Sequence, residues 1–197
     1  MNYDYLVERV KRLVVQPKQE WAAIEEEELS RKEIYTRYVM ILAAIPPVAG
    51  FIGYSIVGVG VFGHTFRVPL ATGLAHMIVG YLLALGAVYV LALVINFFAQ
   101  RFDAPEDFMS ALKLAAFAPA PGWVAGVLNI IPSLWIIGVL LSLYGLYLIF
   151  VGLPILMRPP AEKFPPYLVV GVMAAILIVA VLRGVNDLML PSQVRGF

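Results

Sequence analysis

Residues Pro69 to Ala99 read PLATGLAHMIVGYLLALGAVYVLALVINFFA, an apolar run in which only His76 titrates near neutral pH. A helix needs about 20 mostly apolar residues to cross roughly 30 Å of hydrocarbon. This run exceeds one crossing, so it predicts a helix that tilts or projects beyond the bilayer. Outward from it, the rest of the chain has the same character. It is 61% hydrophobic and only 14% charged, with a mean hydropathy of +0.87, where soluble domains carry about 25% charged residues. The predicted spans are about 35–58, 69–99, 110–131, 134–157 and 167–190. The fold class expected is all-α: a polytopic membrane protein with a bundle of five transmembrane helices (35–190), a short N-terminal amphipathic helical segment (1–34) and an external tail (191–197).

Charge placement predicts the orientation. Of the 14 lysines and arginines, Arg9, Lys11, Arg12, Lys18, Arg31, Lys32, Arg37, Arg101, Lys113, Arg158 and Lys163 fall on one side of these spans. Only Arg67, Arg195 and, if it snorkels outward, Arg183 fall on the other. The N-terminus is therefore expected in the cytoplasm and the C-terminus outside, in the inner membrane of a prokaryotic cell. Met1 to Tyr38 is too charged to read as a cleavable signal, so targeting is expected from the spans themselves. A net charge of +1 offers no field for nucleic acid. The absence of cysteine excludes disulfides, thiolate metal sites and a Cys nucleophile.

The first segment is patterned. Leu6, Val10, Leu13 and Val14 recur at helical spacing beside Arg9, Lys11 and Arg12, which predicts a basic amphipathic helix on the membrane surface or under the bundle. Pro17 stops it and suits the first turn of a second helix running to about Leu29. In that helix Trp21 is expected to anchor at the interface, and the acidic run Glu25 to Glu28 to be a solvated face.

The stretch Phe117 to Trp135, FAPAPGWVAGVLNIIPSLW, puts helix breakers inside the third span. Pro119 and Pro121 lack the amides that Ala115 and Phe117 would need, so a break is expected near Pro119 to Gly122. Lipid cannot satisfy the freed carbonyls, which places the break in the bundle interior or beside a wet cavity. It reads either as a packing kink or as a solute or lipid site. Asp103 and Glu106 have capping-box spacing ahead of this span. Gly138, Gly145 and Gly152 form a stripe on the fourth helix, and Ala49/Gly53 and Gly171/Ala175 are further small pairs that permit close packing.

Catalytic chemistry finds little support. His64 and His76 have no metal-ligand spacing, and no phosphate cradle, nucleophile elbow or zincin helix is present. No catalytic, cofactor or metal residue is assigned, and no cofactor is expected. The candidate lipid, solute or partner site comprises Pro119, Pro121, Gly122, His76, Asn129, Arg183, Asn186 and Asp187. Arg183 and Asp187 stand one turn apart near the far end of the fifth helix. They read as an interfacial pair, or, with Arg183 and Asn186 turned inward, as a site for an anionic headgroup.

Taken with QPKQEWAAIEEE and YTRYVMILAAIPPVAGFIGYS, the stretches FMSALKLAAFAPAPGWVAGVLNIIPSLW and LYGLYLIFVGLPILMRPPAEK resemble bacterial Yip1-domain proteins over nearly the whole chain. The resemblance implies five transmembrane helices with a cytosolic N-terminus. It also implies a non-catalytic protein that organises membranes or binds membrane lipids, membrane-protein partners or its own copies. Eukaryotic relatives bind Rab GTPases and carry an Asp-Leu-Tyr-Gly-Pro type signature ahead of the first span, which this chain lacks. The alternative reading is a small transporter, channel or lipid conduit built on the broken third helix.

Overall fold

The computed structural model describes residues 3–61 and 64–189. Two short helices, α1 (Tyr3–Val15) and α2 (Pro17–Glu26), precede five helical segments long and apolar enough to cross a membrane. These are Arg31–Val57, Leu70–Phe102, Phe108–Ile130, Ile136–Leu156 and Phe164–Val185. The fold is thus the expected all-α polytopic bundle. A two-stranded hairpin, β1 (Val59–Val61) paired antiparallel with β2 (His64–Phe66), joins the first two spans. The proposed tail, 191–197, lies outside the described residues.

The first span is interrupted. Ser30 starts it with a reciprocal capping box to Glu33. It then runs through α3 (Arg31–Ile34), a π turn (Tyr35–Val39), α4 (Met40–Leu42), α5 (Ile45–Phe51) and a second π segment (Ile52–Val57). Pro46 and Pro47 lie in the first turn of α5, where helical amides have no intrahelical acceptor. The second span is α6 (Leu70–Ala99), continued to Phe102 by a 3-10 turn. Its 33 residues would reach about 50 Å at 1.5 Å per residue, which is the projection its length predicts.

The third span is the axis of the bundle. Residues Ala111 to Ala118 are all buried. Its first half, α7 (Phe108–Phe117), starts at Asp107, whose carboxylate accepts from the Met109 amide at 2.9 Å and the Ser110 hydroxyl at 2.6 Å. This corrects the cap expected at Asp103, which instead takes a left-handed conformation. Helix α7 ends where Pro119 requires it, α8 spans Ala120–Ala125, and a 3-10 stretch (Gly126–Ile130) follows.

The fourth span, α9 (Trp135–Leu156), returns along α7 and α8. The fifth, α10 (Phe164–Met189), packs on α6 and α9 and is otherwise exposed. Tyr167 pins its start, donating to the Ile95 carbonyl at 2.7 Å. The small residues face inward. A Cβ on Gly53 would fall 1.9 Å from the Asn129 carbonyl oxygen, so the first span's second half lies directly on the 3-10 stretch of the third. One on Gly152 would fall 2.6 Å from the Trp21 ring. Gly145 meets the Ala118 carbonyl, so the expected glycine stripe on α9 is a seam within one chain.

Candidate functional site

Leu6, Arg9 and Leu13 share one face of α1, and all three are buried. The sequence therefore sets a guanidinium into an apolar stripe. A charge taken out of water this far needs partners, and α2 with the turn after it supplies them. Arg9 Nε stands 3.2 Å from Glu20 Oε1, an ion pair by distance though not aligned as a hydrogen bond. Its NH2 bonds the Glu27 carboxylate and the Tyr5 hydroxyl. Glu20, also buried, accepts from Arg12 Nε at 2.7 Å. The Arg9 guanidinium further lies 4.8 Å from the Tyr5 ring centre and 5.6 Å from that of Phe117. Burial, followed by the hydrogen bond to Glu27, raises the Tyr5 pKa above its ordinary value.

The helical pair is tied to the bundle at several points. Lys113 in α7 is buried and donates to the carbonyls of Glu25 (3.1 Å) and Glu27 (2.8 Å). It thus caps the carbonyl end of α2, where helical carbonyls lack donors and the dipole favours a cation. Arg158, just after α9, holds the Glu25 carboxylate through Nε at 2.8 Å. The Tyr144 hydroxyl bonds the Val14 carbonyl at 2.9 Å. Trp21 is fully buried against Gly152 and Leu114. Two expectations are corrected here. Trp21 is a core plug because the α9 glycine leaves room for an indole, and it is no interfacial anchor. Only Glu26 and Glu28 of the acidic run are exposed, while Glu25 and Glu27 are engaged by Arg158 and Arg9.

Beside this network lies a groove of about 380 Å³ between α1, the turn after α2 and the start of the first span. Leu29, Ile34, Ile41 and Phe117 supply apolar wall, and Tyr5, Glu27, Glu33 and Arg37 supply polar groups. Tyr38 also lines it. Its ring centre is 4.2 Å from that of Phe117, and its hydroxyl is buried without a hydrogen-bond partner.

The residues singled out from the sequence are dispersed. Pro119, Pro121 and Gly122 lie together at the break, with Gly122 close against Ser142 of α9. Asn129 sits farther along, its carbonyl against Gly53. His76 is half-buried in α6, and its Nε2 is shielded without a partner. Arg183 is exposed on the peripheral α10. The side chains of Asn186 and Asp187 lie outside the described residues, as therefore does the pairing expected of Arg183 with Asp187. Arg9, Glu20, Glu27, Tyr38 and Lys113, which build the network and the groove, are not among the candidates read from the sequence. The available signal was register: Arg9 is three residues after Leu6 and four before Leu13, on the buried stripe.

The chain matches the Yip1 domain over residues 11–183. It is 28% identical over 143 residues to the inner membrane protein YohC of Escherichia coli strain K12, covering 70% of this chain and 73% of that protein. The YohC of E. coli O6:H1 (strain CFT073) matches to the same extent. No solved structure matches. The match runs from Lys11 in α1 through four complete membrane helices to Arg183 in the fifth, and the chain belongs to the Yip1 domain family.

Proposed function

We propose that this is a non-catalytic inner-membrane protein whose docked N-terminal helices form a cytoplasmic platform for membrane lipids and membrane-protein partners. One observation carries the reading: Arg9 ties α1 to α2, and Lys113 and Arg158 lock the pair onto the bundle. Their outer face is left open, with Glu8, Lys11, Lys18, Glu26 and Glu28 exposed. The buried charges are engaged with one another and with backbone carbonyls, an arrangement that holds a surface in place. The excess of lysine and arginine on that side supports its placement in the cytoplasm, and the name of the E. coli relative supports the inner membrane.

The conduit reading draws on a different feature, because two proline-interrupted spans meet where Pro46 packs on Gly126. Broken spans line substrate sites in transporters. Here the junction is filled by close contacts, Gly53 on Asn129 and Gly145 on Ala118 among them, which favours the platform.

Photo-crosslinking residues placed at Lys18 and Glu26 in cells test the proposal, with exposed Glu162 near the start of α10 as the control. The platform positions should give discrete adducts that Glu162 does not. Identical patterns at all three positions would overturn it.

A further inference from the structure

The groove beside Arg9 has an unusual set of walls. Along the first span it runs from Glu33 to Ile41. Ile41 lies about 12 Å along the helix axis from Glu33 at 1.5 Å per residue, most of the roughly 15 Å of one hydrocarbon leaflet. The groove therefore joins a charged mouth at the membrane surface to an apolar interior. Its mouth carries both signs. Glu27 and Glu33 present carboxylates, and Arg37 is mostly exposed with NH1 3.2 Å from Glu33. A guanidinium has five donors and a carboxylate about four acceptor positions, so these groups keep capacity for a ligand. Independently, the Tyr38 hydroxyl is buried in the wall with no partner. An unsatisfied buried hydroxyl is costly, and a ligand oxygen would satisfy it.

We propose that this groove binds a phospholipid with a primary-amine headgroup. Its phosphate lies on Arg37 and Tyr38, its ammonium on Glu27 and Glu33, and an acyl chain along Leu29, Ile34, Ile41 and Phe117. Charge decides among headgroups. A headgroup that carries only negative charge would set it against two carboxylates. A trimethylated ammonium keeps the positive charge but has no N–H to donate, so it loses the charge-assisted hydrogen bonds that a primary amine makes. The proposal rests on the lipid-binding side of the platform reading and names the lipid class.

The test is native mass spectrometry of the delipidated full-length protein titrated with phosphatidylethanolamine, phosphatidylcholine or phosphatidylglycerol of matched chains. Phosphatidylethanolamine should bind about tenfold more tightly than either of the others, the scale of one charge-assisted hydrogen bond. Arg37→Gln and Tyr38→Phe should each remove most of that preference while circular dichroism stays unchanged. If Tyr38→Phe does not fold, the exposed Arg37→Gln decides alone. Equal binding of the three lipids, or an unaltered preference in Arg37→Gln, overturns the site. Platform crosslinks at Lys18 that persist alongside such a result would show that the groove fails and the platform does not.

Discussion

Arg9 bears most of the weight at the scale of single residues. Buried among Leu6, Leu13 and Phe117, it is tolerated only because Glu20 and Glu27 meet it. Removing one member of a buried pair costs about 3–5 kcal/mol, because the other charge is stranded, while replacing both can be near neutral. Arg9→Met and Glu20→Gln should therefore each lower thermal stability in detergent strongly, and the double variant should be far less damaged than the sum. Additive losses would show that the two side chains act separately. The sequence hides this role in plain view. An arginine in a basic amphipathic stretch normally belongs to the wet face, and only its register with Leu6 and Leu13 says otherwise. Its partners were no easier to find, since Glu27 sits in an acidic run whose composition resembles solvated surface.

Among the helices, proline placement explains most of the irregularity. The third span breaks at Pro119 as its sequence predicts, and the first divides at Pro46 and Pro47 for the same reason. The run AAIPPVAGF carried that signal and passed for continuous because its hydropathy never drops. The 3-10 turns of Gly126–Ile130 had no such marker, since tertiary contact with Gly53 shapes them. The start of α7 rests on Asp107. Partial burial pushes this carboxyl up, but hydrogen bonds from Ser110 and the Met109 amide outweigh it, so its pKa is lowered. A lowered carboxyl stabilises the fold above its unfolded value, and the contribution is lost as pH falls through the folded value. Asp107→Ala should cost about 1 kcal/mol at neutral pH. Asp107→Asn should keep most of the cap and flatten the loss of stability on acidification. An unchanged acid limb in Asp107→Asn would rule out this carboxyl as its source.

For the whole molecule, hydropathy made the five spans readable because each holds an apolar, sparsely charged run long enough to cross a bilayer. Docking under the bundle was one of two placements the amphipathic pattern allowed, and the choice was not readable, since it depends on Lys113 and Arg158 reaching residues far away in the chain. The proposed cytoplasmic placement of both helices predicts that reporter fusions put the N-terminus inside and the C-terminus outside, and two ends on one side would refute an odd number of crossings. The central claim, that the N-terminal pair is clamped to the bundle, has a direct measurement. The chain contains no cysteine, so Glu25→Cys with Arg158→Cys can be treated in native membranes with a short bifunctional thiol reagent. A rapid crosslink within one chain, slowed when Lys113→Met loosens the end of α2, is the result expected from the clamp. Free labelling of both cysteines with no crosslink between them would contradict it.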